Sequence, residues 1–136
     1  MGHYTGRYQP YQPDPIPVVE ETSITFTEPT TYATFSEVAI IDTGADVSNI
    51  PSRLVTKHHL PAHDEEEITD PNGNKTLCDV YYLRVHITGL SSVIERFVEY
   101  GFNELILGRN LLNRWRIILD PSRKRPPVSE EIRIED

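Results

Sequence analysis

The sequence holds a single cysteine, Cys78. That scarcity rules out an intrachain disulfide, the cross-linked framework of small secreted domains and the paired Cys-x-x-Cys ligands of a structural zinc site. No apolar run approaches the roughly 18–20 residues that span a bilayer, and the opening MGHYTGRYQP lacks the apolar segment of a signal peptide. A soluble, cytoplasmic protein without a membrane partner is expected. Basic charge is also scarce: 13 Lys and Arg stand against 21 Asp and Glu, a formal net charge of -8. Such a balance opposes binding to phosphate backbones, so nucleic acid is not an expected partner.

What is abundant points to strands. Eleven prolines and seven glycines accompany one Met and one Trp, with many Val, Ile, Thr and Tyr, a mixture that favours strands and turns over long helices. A chain of 136 residues suits one domain with a real hydrophobic core. The expected fold class is mainly β.

The chain divides by composition. Residues 1–17 carry Pro10, Pro13, Pro15 and Pro17 with tyrosines between, and read as a proline-rich lead-in tail of extended polyproline type with little to bury. Residues 18–120 carry the strand patterns. The arms VVEETSITF and YATFSEVAII flank a turn at Glu28-Pro29-Thr30-Thr31, a hairpin feeding its second strand into Asp42. SRLVTKHHL reads as a loop with one helical turn. Asp70-Pro71-Asn72-Gly73-Asn74 is a strong turn signal between two strand-like arms, a second hairpin with a polar tip. VIERFVEY alternates as a strand, ELILGRNLLNRW as a strand leading into a short helix through Trp115, and RIILD as a closing strand. Residues 121–136 form a C-terminal tail with a basic knot, Ser122–Arg125, and an alternating segment, Ile132 and Ile134, able to pair as an interface strand.

The chemistry concentrates in AIIDTGADVSNIP, residues 39–51, where an apolar run drives a carboxylate, Asp42, towards what reads as the core. A carboxylate buried without partners costs several kcal/mol or takes up a proton, so it needs compensating bonds or a use. Gly44 lets the backbone fold tightly so that amides can point at Asp42, and the Thr43 hydroxyl gives a second polar anchor. Alone, the tripeptide fits an Asx-type turn after a strand equally well.

A second segment, Leu105-Ile106-Leu107-Gly108-Arg109-Asn110-Leu111-Leu112, follows a hairpin near the C-terminal end. Together IIDTGAD and ILGRNLL resemble the two signature segments of the retropepsin family, the retroviral-type aspartic proteases, with cellular, bacterial and retroelement relatives. The resemblance spans about residues 20–120 and implies a retropepsin-like acid protease fold: a closed β-barrel-like domain with one short C-terminal helix, assembled as a homodimer. It implies that Asp42 is the catalytic aspartate, with Thr43 bracing the two active-site loops across the dimer and Gly44 and Ala45 in the tight loop. Asp46 and Arg109 match the ion pair that ties this loop to the helix; Gly108, Asn110, Leu111 and Leu112 match that helix's start. The hairpin tip at Pro71, Asn72, Gly73 and Asn74 falls where the family has its flap over bound peptide. Here the sequence departs from the viral pattern, because DPNGN is polar where viral flaps are rich in glycine and isoleucine.

Chemistry asks for a dimer independently. Peptide hydrolysis by aspartates needs two carboxyls at one site, one ionised to take a proton from water and one protonated to polarise the scissile carbonyl. The chain has only one D-[ST]-G, and a two-fold axis beside Asp42 supplies the second copy. Like charges about 3 Å apart cannot both stay ionised, as in aspartic proteases generally, so the pair titrates as a unit and activity should peak on the acidic side of neutrality.

The expected activity is therefore an aspartic endopeptidase acting on peptide or protein substrates, with no cofactor and no metal. The competing reading is a proteolytically inactive retropepsin-like module for dimerisation or peptide binding. His58, His59 and His63 with Asp64–Glu67 have the composition of a metal site, but Pro61 breaks a helical face and a solvated acidic loop is the simpler reading. Cys78 reads as a small buried hydrophobe and Trp115 as packing.

Overall fold

The structure is a computed structural model that describes residues 2–9, 16–120 and 131–136. The prolines from Pro10 to Pro15 and the basic knot at Ser122–Arg125 lie outside the described residues. In chain order the strands are β1 His3–Gln9, β2 Ile16–Val19, β3 Ile24–Thr27, β4 Thr34–Phe35, β5 Ala39–Ile41 and β6 Ser48–Asn49. Helix α1, Ser52–His58, comes next, followed by β7 Asp64–Thr69, β8 Lys75–Ile87, β9 Val93–Val98 and β10 Leu105–Leu107. Helix α2, Arg109–Leu112, leads to β11 Arg116–Asp120 and then β12 Glu131–Glu135. The molecule is mainly β, as its composition predicts.

The strands join into one curled sheet in the order β11-β12-β1-β2-β5-β10-β6-β9-β8-β3-β4, with β7 paired to β8 alone. The expected closed barrel is not formed: among the described residues the sheet ends at β11 and β4, so it is a half-barrel. β4 is only two residues long and pairs through Phe26↔Phe35 and Thr27↔Thr34, too little edge to continue the curl. Helix α2 stands where one short helix was expected, but it ends at Leu112, short of Trp115. The SRLVTKHHL segment is a full helix, α1, ended by His59 in the left-handed region.

β8 shows how alternation builds two layers from one strand. Its buried residues are Cys78, Val80, Tyr81, Leu83, Val85 and Ile87, and the consecutive pair Val80–Tyr81 marks a change of face. Before it, Cys78 and Val80 pack with Val98 in a small cluster touched by Val47, Ile68 and Tyr100. After it, Tyr81, Leu83, Val85 and Ile87 face the main core with Phe26, Phe97, Leu107 and Leu111. Phe26 stacks on Phe35 at 5.3 Å and meets Phe97 edge-on at 6.0 Å.

Three sequence expectations give way here. Residues 3–9 are a strand rather than a polyproline tail: Tyr4 is buried, and β1 runs antiparallel to β12 from His3↔Glu135 to Arg7↔Glu131. Ile132 and Ile134 are fully buried because β12 lies between β1 and β11 of the same chain. The first hairpin is also shorter than expected. A 3-10 turn, Glu21–Ser23, separates β2 from β3, and β4 ends at Phe35, so β5 reaches Asp42 from a separate pairing with β2.

Candidate active site

β5 ends at Ile41, directly before Asp42, and pairs in parallel with β10, with Ala39, Ile40 and Ile41 opposite Leu105, Ile106 and Leu107. β10 pairs on its other edge with β6, Ile106 opposite Asn49. The loop from Asp42 to Val47 therefore bridges the two strands that flank β10. Strand parity corrects the reading of Asp42: Ala39 and Ile41 point into the core, which leaves Ile40 and Asp42 on the opposite face, and Asp42 is half-buried. Its amide continues the ladder to the Leu107 carbonyl at 3.0 Å, and its Oδ1 accepts the Gly44 N–H at 2.9 Å.

Backbone bonds carry the loop onto α2. The Arg109 N–H donates to the Ala45 carbonyl at 2.8 Å, and the Asn110 N–H to the Asp46 carbonyl at 3.2 Å. The Arg109 and Asp46 side chains are in ion-pair contact, both largely exposed. Such a surface pair contributes at most about 1 kcal/mol, so the backbone bonds fix the geometry. Asn110 does not cap the helix; that position falls to Gly108. Instead its Oδ1 accepts both the Ser48 amide and hydroxyl at 2.9 Å, and its Nδ2 donates to the Arg96 carbonyl at 2.9 Å. The Ser48 Oγ in turn accepts the Gly108 N–H at 2.9 Å. A Cβ at Gly108 would sit 2.6 Å from the Val47 carbonyl carbon and oxygen, so glycine is required there by close approach.

A cleft of about 660 Å³ opens above this loop. Asp42, Gly44, Ala45 and Asp46 line one side; Ile68, Thr69, Asp70 and Pro71, from the end of β7 and its turn, line another. Val47, Asn49, Val98, Tyr100, Phe102 and Ile106 complete it. Of the residues expected at the flap, Pro71 reaches the cleft, whereas Asn72, Gly73 and Asn74 form the exposed turn beyond it. That turn is held by Asp70, whose Oδ1 accepts the Asn72 and Asn74 amides at 2.9 Å, and by Gly73 at φ +85. Thr43 is exposed and lies outside the lining.

Asn49, Tyr100 and Phe102 are among the cleft contributors missed in the sequence. A polar pair, Ser48-Asn49, directly before a buried Ile50 was the available signal, since buried polar side chains demand partners. Tyr81, on β8 opposite Phe97, donates its hydroxyl to Glu99 Oε1 at 3.2 Å. Its pKa is pushed up to about 12 by burial, by the Glu99 charge and by that bond.

The weaker signals are accounted for separately. His58 stacks on Phe35 at 4.5 Å, and burial, with Lys57 beside it, holds its pKa down. His63 faces Glu28 instead, and no cluster able to hold a metal ion occurs among the described residues. The Cys78 thiol is pushed up by burial and by the charges of Glu66, Asp79 and Glu99, which makes it a poor nucleophile. Trp115 is buried against the core. Among the described residues no helix is long and apolar enough to cross a membrane. In comparisons with known proteins, no family model matches the chain and no curated protein resembles it significantly.

Proposed function

We propose that the protein is a retropepsin-like aspartic endopeptidase, active as a homodimer, that hydrolyses extended peptides bound between the 64–80 hairpin and the Asp42 loop. One observation carries the reading: Asp42 stands on the cleft side of the sheet, its Oδ1 held by the Gly44 amide, at a loop bonded to the helix that begins at Gly108. A turn that merely ended a strand would not need a glycine fitted against backbone on the other side of β10.

Each subunit brings one acid, and a two-fold axis beside Asp42 and the exposed Thr43 pairs them. The ionised Asp42 takes a proton from water as the oxygen attacks the scissile carbonyl carbon. The protonated Asp42 gives its proton to the carbonyl oxygen, forming a tetrahedral diol. When the C–N bond breaks, one carboxyl gives its proton to the departing amine while the ionised partner takes a proton from a diol hydroxyl, which becomes the carbonyl of the product acid, so the pair again holds one proton. The substrates are peptides or proteins, with no cofactor and no nucleic acid in the reaction.

Asp42→Asn removes the shared proton chemistry while keeping an acceptor for the Gly44 amide. We expect peptide cleavage to fall by ~10²–10⁴-fold or more with the fold unchanged. A peptide library incubated with both proteins across acid and neutral pH checks this. Equal inactivity of two folded dimers supports the binding module instead, and a strictly monomeric protein that cleaves peptides overturns the shared site.

A further inference from the structure

The loop between β9 and β10, residues 99–104, carries the aromatic wall of the cleft and has little secondary structure of its own. Tyr100 and Phe102 pack ring to ring at 5.2 Å, tilted by 34°, and Phe102 remains 51% exposed at the cleft edge. Between them Gly101 has φ +114, a conformation that favours glycine. One buried side chain supplies three of the loop's hydrogen bonds. Asn49, 2% exposed, donates from Nδ2 to the carbonyls of Phe102 at 3.2 Å and Glu104 at 3.0 Å, and accepts the Tyr100 N–H on Oδ1 at 3.0 Å. The partners fix the orientation of the amide, because two carbonyls need donors and one N–H needs an acceptor. A second tether comes from α1, where Arg53 Nη2 reaches the Asn103 carbonyl at 3.3 Å.

Asn49 also borders the cleft, on β6 just past the Asp42 loop, yet both its donors are spent on the wall. It has nothing to donate to a peptide. We propose that Asn49 is a substrate-positioning residue: its buried amide fixes the Tyr100–Phe102 wall at a set distance from Asp42 and so determines which peptide side chain fits beside the reacting bond. The inference rests on the protease reading of Asp42 and adds to it the element that makes the cleft selective. Asn49 is bonded to neither Asp42 nor the loop onto α2, so its effect falls on selection among substrates and leaves the acid chemistry alone.

The test uses the full chain and a peptide set that varies one side chain at a time around the cleavage site. Phe102→Ala removes half of the wall from a half-exposed position. Asn49→Ser replaces the amide with a shorter hydroxyl that cannot serve the three backbone groups. We expect each to flatten the ranking of kcat/KM among peptides by about tenfold, mainly through KM, while the shape of the pH profile stays that of the unaltered protein. In the double variant the Asn49→Ser change should add nothing to Phe102→Ala, since both act through one wall. Unchanged ranking in either single variant, additive effects, or a displaced pH profile overturns the proposal. The same peptides are ranked by equilibrium binding to Asp42→Asn protein and to its Asn49→Ser form. If the unaltered protein cleaves nothing but binding selectivity still collapses in Asn49→Ser, the protease reading fails and the positioning role stands. If no peptide is bound or cleaved, both fall.

Discussion

Glu28 is 1% exposed, and its carboxylate is held on one side only. Oε1 accepts the amide and hydroxyl of Thr30 and the Thr31 amide, while Oε2 has no hydrogen bond among the described residues and lies 3.6 Å from His63 Nε2. Burial raises its pKa, but the Thr30 and Thr31 donors and His63 outweigh that and hold it below the usual 4.5. A carboxylate depressed in the folded state adds stability above its unfolded pKa and loses it as pH falls through the lower folded value. Glu28→Gln should therefore destabilise by about 1–3 kcal/mol near neutrality. The deficit should shrink on acidification, as the wild type alone loses stability. Urea unfolding of both proteins at about pH 7 and about pH 3.5 checks the sign. Residue chemistry of this kind was hidden in the sequence: Glu28-Pro29-Thr30-Thr31 reads as a turn, and nothing local says that the turn folds inward.

Among the elements, the β7–β8 hairpin was the most legible, because Asp-Pro-Asn-Gly-Asn determines its own turn through local bonds. Asp70 supplies two of them, and its own amide donates to the Asn74 carbonyl at 2.9 Å. Asp70→Ala should loosen the tip by about 0.5–1.5 kcal/mol per lost bond. Amide exchange at residues 70–75 should quicken with little change at β9 or β10. Retained protection would show that the arms alone hold the turn. Less legible were β5, β6 and β10, two or three residues each, which are strands only because they lie against one another. Their apolar runs specify burial but not which face Asp42 takes; that parity followed from pairing with β10. The ILGRNLL segment was recognised by resemblance, whereas its physical contribution, Asn110 and Gly108 locking onto Ser48 and Val47, required the fold.

The whole molecule closes its termini into the sheet. β12 separates β1 from β11, and Asp136 accepts the Gly2 and Ser91 amides at 2.8 and 2.9 Å, tying both end strands to the turn at Gly89. Ending the chain before Glu131 removes Ile132 and Ile134, both fully buried, takes away the partner of β11 and leaves β1 paired only to β2. At about 1.5–3 kcal/mol per isoleucine the loss is a large part of a small domain's stability. We expect a markedly lower Tm or failure to fold, read by thermal denaturation. An unchanged Tm would mean that β12 is dispensable to the core.

The sequence by itself determined the mainly β character, the polar hairpin turn and the presence of the two segments IIDTGAD and ILGRNLL, because alternation, turn chemistry and short motifs are local properties. Only the tertiary structure decided that Asp42 faces a cleft, that Asn49 holds that cleft's wall, and that the terminal segments are strands of one sheet. Each of these depends on partners distant along the chain, and a buried amide or a buried tyrosine acquires its role only from the groups the fold brings against it.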